Sequence, residues 1–246
     1  MWYKSVEYSQ PSALPEISGQ YPFSCCAFNR KYKTMEAHRI ATLIIIAASL
    51  LIVVLIYPAA PDQIPTHWNI GGEPDAWSDK AFGLAIIPAI LLATALIFGA
   101  MLRYLGSGDT KTRRATGWFI VLILALLFAV QIFQSLTILG SAIDPAFFFP
   151  VLFALFYLGI SIILPRIMKR NKMMGIRTPW TMRSDEVWVR THQRSANIFR
   201  IAAGLTLFGV FYPDHIFLFV LAPAIIALLW CVLVSYIEYK NLREMP

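Results

Sequence analysis

Six long apolar runs separated by polar segments dominate the hydrophobic pattern: Ile40–Tyr57, Phe82–Leu102, Trp118–Leu139, Phe147–Leu164, Ile198–Tyr212 and Ile216–Ile237. At 1.5 Å per helical residue, runs of this length approach or cross a hydrocarbon core of roughly 30 Å. The pattern predicts an all-α fold, a polytopic membrane bundle of about six helices. The fifth run is the shortest and contains Arg200. Ser184 followed by Asp185 and Glu186 reads as a helix start, and no proline intervenes before Tyr212. One long helix is therefore expected to rise from Ser184 into the membrane, with Arg200 at the interface.

Two polar segments are too rich to be plain connectors. Between the first two runs, Pro65–Lys80 holds His67, Trp68, Asn69, Gly71, Gly72, Glu73, Pro74, Asp75, Trp77 and Asp79. It is expected to be an ordered outer loop within 58–81, turned by its glycines and prolines and anchored by tryptophans at headgroup level. Between the fourth and fifth runs, an inner loop over 165–197 carries Gly175-Ile176-Arg177-Thr178-Pro179-Trp180-Thr181, whose glycine, proline and threonines imply a fixed backbone shape. On the helix that follows, Trp188, His192, Ser195 and Phe199 share a face, and Glu186 and Arg190 are spaced for a surface ion pair.

Composition agrees with the hydropathy. Of the 246 residues 58% are hydrophobic and 14% charged, about half the charged share of a soluble domain. The formal net charge of +7 does not indicate nucleic acid, because no nucleic-acid motif is present and the basic residues gather in alternate segments. The N-terminal segment, the two inner loops with Arg200 and the C-terminal tail hold 20 of the 21 Lys and Arg, leaving only Lys80 on the other side. By the positive-inside rule both termini are expected in the cytoplasm. Residues 1–38 read as a tail, disordered and dispensable up to about Met35; 39–140 and 141–246 read as two membrane domains. Three cysteines, two of them adjacent, form neither a disulfide framework nor a metal pair.

The spans are nearly free of ionisable residues, which argues against pumps and ion-coupled transporters. Gln131, Gln134 and Ser135 share one face of the third run and are read as interhelical hydrogen-bonding groups rather than a pore lining. His67, Glu73, Asp75 and His215 match zinc's ligand types and leave a metal-dependent hydrolase as the alternative, but they lack the HExxH spacing. No metal or cofactor is expected, and a binding protein is preferred over an enzyme. His192 is read as a helix-packing histidine rather than a base.

The run Ile64-Pro65-Thr66-His67-Trp68-Asn69, with Gly72, Pro74-Asp75, Ser78 and Lys80, resembles the signature of a small bacterial membrane domain of unknown function. The run Asn171, Gly175-Ile176-Arg177-Thr178-Pro179, Ser184, Trp188, Thr191-His192 and Arg194 resembles the SdpI family, the Sdp immunity proteins. Together the resemblance covers roughly Met35 to the C-terminus. It implies a multi-pass protein of the bacterial cytoplasmic membrane that protects its producer against a secreted toxic peptide. In the founding case it also implies that the occupied protein holds a transcriptional repressor at the membrane. On this reading Pro65, His67, Asn69, Gly72, Asp75 and Lys80 form an outer ligand-binding site. Asn171, Gly175, Arg177, Thr178, Trp188, His192 and Arg194 form an inner surface for a cytoplasmic partner or lipid headgroups.

Overall fold

A computed structural model of the protein describes residues 36–69, 73–104 and 109–243. The tail expected to be disordered lies almost wholly outside these residues, as does Gly72. In chain order the elements are α1 (Ala37–Ile56), a hairpin of β1 (Gln63–Trp68) and β2 (Pro74–Asp79), α2 (Lys80–Tyr104), α3 (Thr110–Ile138), α4 (Pro145–Ile163), α5 (Asp185–Phe208) and α6 (Ile216–Arg243). Asp109, Asp144 and Ser184 cap α3, α4 and α5, their side chains accepting the backbone N–H groups of Thr112, Ala146 and Val187.

Among the described residues five helices, all but α5, are long and apolar enough to cross a membrane. Their outward faces are apolar: Leu43, Ile44, Val54 and Leu55 of α1 are each more than half exposed. So broad an apolar surface is stable only against hydrocarbon, and the chain is a multi-pass membrane protein with a helical-bundle fold. The long helix expected from Ser184 is present as α5, followed by a short 3-10 turn over Gly209–Phe211. Its 24 residues span roughly 36 Å. Its first half is polar, and its principal neighbours are α4 and α6. Arg200 is exposed and donates to Asn197 Oδ1 at 2.5 Å.

The hydrogen bonds expected of the third run are present. Gln131 donates to the Ser49 carbonyl at 3.0 Å and accepts from the Ser49 hydroxyl at 2.6 Å, tying α3 to α1. Gln134 donates to the carbonyls of Pro65 and Gly83 at 3.0 and 3.3 Å, tying α3 to β1 and α2. All three glutamine-face residues are buried.

The hairpin marks one end of the bundle, where α1 ends and α2 begins. The starts of α1 and α3, the ends of α2 and α4, and the start of α5 lie at the opposite end. This frame gives the charge asymmetry a direct test. In a chain stripped of its native cysteines, Asp75→Cys is expected to react in intact cells with a membrane-impermeant maleimide, and Lys172→Cys only after permeabilisation. The reverse pattern would invert the orientation; labelling of both would break the span count.

Candidate functional site

At the hairpin end, β1 and β2 pair antiparallel from Gln63–Asp79 to Trp68–Pro74, with irregularities around His67. The outer segment is ordered as expected, but as paired strands rather than an irregular loop. The reason lies in β1: Ile64 is fully buried among Ile56, Ala60 and Leu84. A side chain at Gly83 would put its Cβ 2.5 Å from Ile64 Cβ, so α2 admits the strand only because glycine stands there. Trp68 meets Phe133 edge-on at 5.8 Å, whereas Trp77 is more than half exposed.

The outer candidates separate by role. Pro65 is buried, its carbonyl held by Gln134. Asn69 closes the turn, its N–H donating to the Glu73 carbonyl at 2.8 Å and its Oδ1 accepting from the Glu73 N–H. Lys80 bonds through its backbone N–H to the Asp62 carbonyl and sets its ammonium 4.8 Å from the Tyr57 ring centroid. His67 and Asp75 face outward, Nδ1 to Oδ1 at 2.5 Å, with both side chains substantially exposed. They form an accessible polar pair on the hairpin, where Glu73 and Asp79 are exposed as well. The alternative metal set is not assembled: among the described residues no three His, Cys, Asp or Glu side chains converge, so Glu73 and His215 do not complete a site with His67 and Asp75.

At the opposite end, the chain from Ile167 to Arg183 folds onto the first turns of α5. Asn171 organises the entry, its Oδ1 accepting from the Met173 and Met174 N–H groups at 3.0 and 2.7 Å. Thr178 and Thr181 bond to each other, and the Thr181 hydroxyl also donates to the Ile176 carbonyl at 2.8 Å. Arg177 reaches back to the Lys172 carbonyl. Trp188 is fully buried and donates from Nε1 to the Ile167 carbonyl at 2.7 Å. His192 stacks on it with ring centroids 4.3 Å apart. The shared face of Trp188, His192, Ser195 and Phe199 is buried throughout, and the expected Glu186–Arg190 pair forms at 2.5 Å.

His192 fastens loop to helix. Its Nδ1 lies 2.7 Å from the Trp188 carbonyl and its Nε2 accepts from the Ile176 N–H at 3.0 Å. Only the neutral tautomer with its proton on Nδ1 satisfies both contacts, since an imidazolium would set N–H against N–H. The residue belongs to the polar first half of α5, ahead of the apolar stretch. Burial holds its pKa down to about 4 from an ordinary 6.5, partly offset by the bond to Trp188. The unfolded chain therefore binds the proton more readily, and stability is expected to fall as pH drops from about 6.5 towards 4. Melting in detergent across this window should show that slope flattened in His192→Gln. An equal slope in the variant would assign it to other groups.

Glu238, an acid near the end of α6, is not among the candidates that the sequence suggests. It is fully buried, and its carboxylate lies 2.7 Å from the Arg194 guanidinium, at an angle too poor for an aligned hydrogen bond. The Thr191 hydroxyl of α5 is also buried without a hydrogen-bond partner among the described residues, and the buried Ser195 hydroxyl lies beside the Cys231 thiol. An acid in the last two turns of an apolar helix was the available signal, but only packing reveals its burial.

Comparison with known proteins covers both ends. Residues 44–92 match a domain of unknown function, DUF1648, and residues 167–235 match the SdpI/YfhL protein family. "Immunity protein SdpI" of Bacillus subtilis (strain 168) is 26% identical over 214 residues, covering 83% of this chain and 97% of the relative. No solved structure matches. The first match takes in α1, the hairpin and the start of α2; the second takes in the inner platform, α5 and most of α6. With the SdpI/YfhL match over the platform, α5 and most of α6, and an SdpI relative aligned along nearly its whole length, the chain belongs to the SdpI family.

Proposed function

We propose that this chain is an immunity protein of the bacterial cytoplasmic membrane, which protects its host from a secreted toxic peptide. The observation that carries the reading is the pair of separately ordered surfaces at opposite ends of one bundle, within a chain similar along most of its length to an immunity protein. The hairpin presents His67 and Asp75 to the peptide. The Asn171–Arg194 platform presents Arg177 and its neighbours to a cytoplasmic partner, a transcriptional repressor if the chain also signals. α5 runs from the platform to the Pro213–His215 turn and is the element that would couple the two ends.

Expression in a toxin-sensitive bacterium tests the reading. The wild-type chain should confer resistance, and His67→Ala/Asp75→Ala should lower it at equal membrane abundance. Arg177→Ala should impair repressor retention at the membrane more than resistance. If the wild-type chain protects against no peptide of this class, the immunity reading fails while the fold stands.

A further inference from the structure

A cleft of about 680 Å³ opens between the first turns of α3 and the end of α4. Lys111, Arg114 and Trp118 line it from α3, spaced so that they share one helix face. Ile162 of α4, Arg166 and Met168 form the facing wall. Trp118, Ile162 and Met168 are each at least 44% exposed, so the apolar wall is continuous with the lipid-facing surface.

The charge at its mouth is not neutralised. Lys111, Arg114 and Arg166 have no carboxylate within ion-pair distance among the described residues. Arg166 makes a bond to the Ile162 carbonyl at 2.7 Å, which orients its guanidinium over the cleft without cancelling its charge. The acid nearest in sequence, Asp109, is turned to the Thr112 N–H. By contrast Arg170, Arg190 and Arg194 are paired with Asp185, Glu186 and Glu238. A topology signal needs basic residues at this end, but not three convergent cations above an apolar wall.

We propose that this cleft is a binding site for an anionic glycerophospholipid of the adjoining leaflet. Lys111, Arg114 and Arg166 hold the phosphate and the anionic headgroup. Trp118 sits at glycerol level, and Ile162 and Met168 flank the upper acyl chain. An acidic protein segment would match the charge but would not use a wall open to hydrocarbon. The site is independent of the immunity reading, since its ligand comes from the bilayer rather than from a competing cell.

The test uses the purified, delipidated full-length protein in a neutral detergent. Native mass spectrometry would compare retention of phosphatidylglycerol with that of phosphatidylcholine. Wild type should prefer phosphatidylglycerol. Single Lys111→Gln, Arg114→Gln and Arg166→Gln variants should each weaken it by about fivefold, the worth of one basic residue near an anionic surface. A charge-matched control, Lys172→Gln/Arg183→Gln/Arg243→Gln, should retain the wild-type preference. The triple variant Lys111→Gln/Arg114→Gln/Arg166→Gln, to which that control is matched, should lose the preference, and monodisperse elution of each single variant secures the comparison if the triple does not fold. Equal retention of the two lipids, equal loss in the control, or full displacement by millimolar inorganic phosphate would each overturn the proposal, the last by showing a site for a free anion.

Discussion

Gly175→Ala is expected to lower the apparent melting temperature in detergent by about 10 °C, from a destabilisation of about 4 kcal/mol. Gly175 has φ +119°, a conformation that side chains rarely adopt, which alone costs about 1–3 kcal/mol for another residue. The new methyl would also lie 2.5 Å from His192 Nε2 and 2.8 Å from the Trp188 ring. Neither ring is free to yield: Trp188 is fixed through Nε1 and His192 through both nitrogens. Overpacking of this kind adds about 1–3 kcal/mol. Gly140→Ala separates the two contributions, because Gly140 has φ +83° with no atom within 4 Å of the added carbon. A Gly175→Ala protein that melts with Gly140→Ala would mean that the platform is not packed against its glycine as described.

The second large effect comes from Arg194. Arg194→Ala would leave the Glu238 carboxylate fully buried between α5 and α6 with no compensating charge. Removing one partner of a buried pair costs about 3–5 kcal/mol, and the exposure of Arg194, at 58%, places this case near 3. Adding Glu238→Gln to that background removes the buried charge and should recover most of the loss. A double-mutant cycle on melting would then give a coupling of about 1–3 kcal/mol. Additive losses would show that the two side chains act separately. Because the pair joins the inner motif to the last helix, the same variants are expected to loosen α6 at that end first, read as faster amide exchange in its final turns.

The extent of sequence legibility follows from the range of each signal. Apolar runs and caps are local, so the helices, including the α5 start at Ser184, could be read from the order of residues. Faces are nearly local: the spacing of Gln131, Gln134 and Ser135, or of Trp188, His192, Ser195 and Phe199, places side chains on one side of a helix before any partner is known. Partners are not local. That Gln134 would hold the Pro65 carbonyl depends on two segments 69 residues apart meeting across the bundle. Among the candidate site residues, Pro65, Asn69 and Lys80 proved to hold the hairpin together, while His67 and Asp75 remained available. Nothing in residue type separates those roles, because exposure is a property of the packed state.

The sequence by itself determined a multi-pass helical bundle with two ordered polar segments, because hydrocarbon demands long apolar stretches and glycine, proline and threonine restrict backbone shape wherever they fall. The tertiary structure alone decided that the outer segment pairs as strands, since Ile64 finds a buried site only where Gly83 lets α2 approach. It also decided that His192 is a neutral clasp for Ile176 and that Glu238 is sealed under Arg194. Those outcomes depend on which groups lose their water and what replaces it, and desolvation is settled by the neighbours that packing supplies rather than by the residue itself.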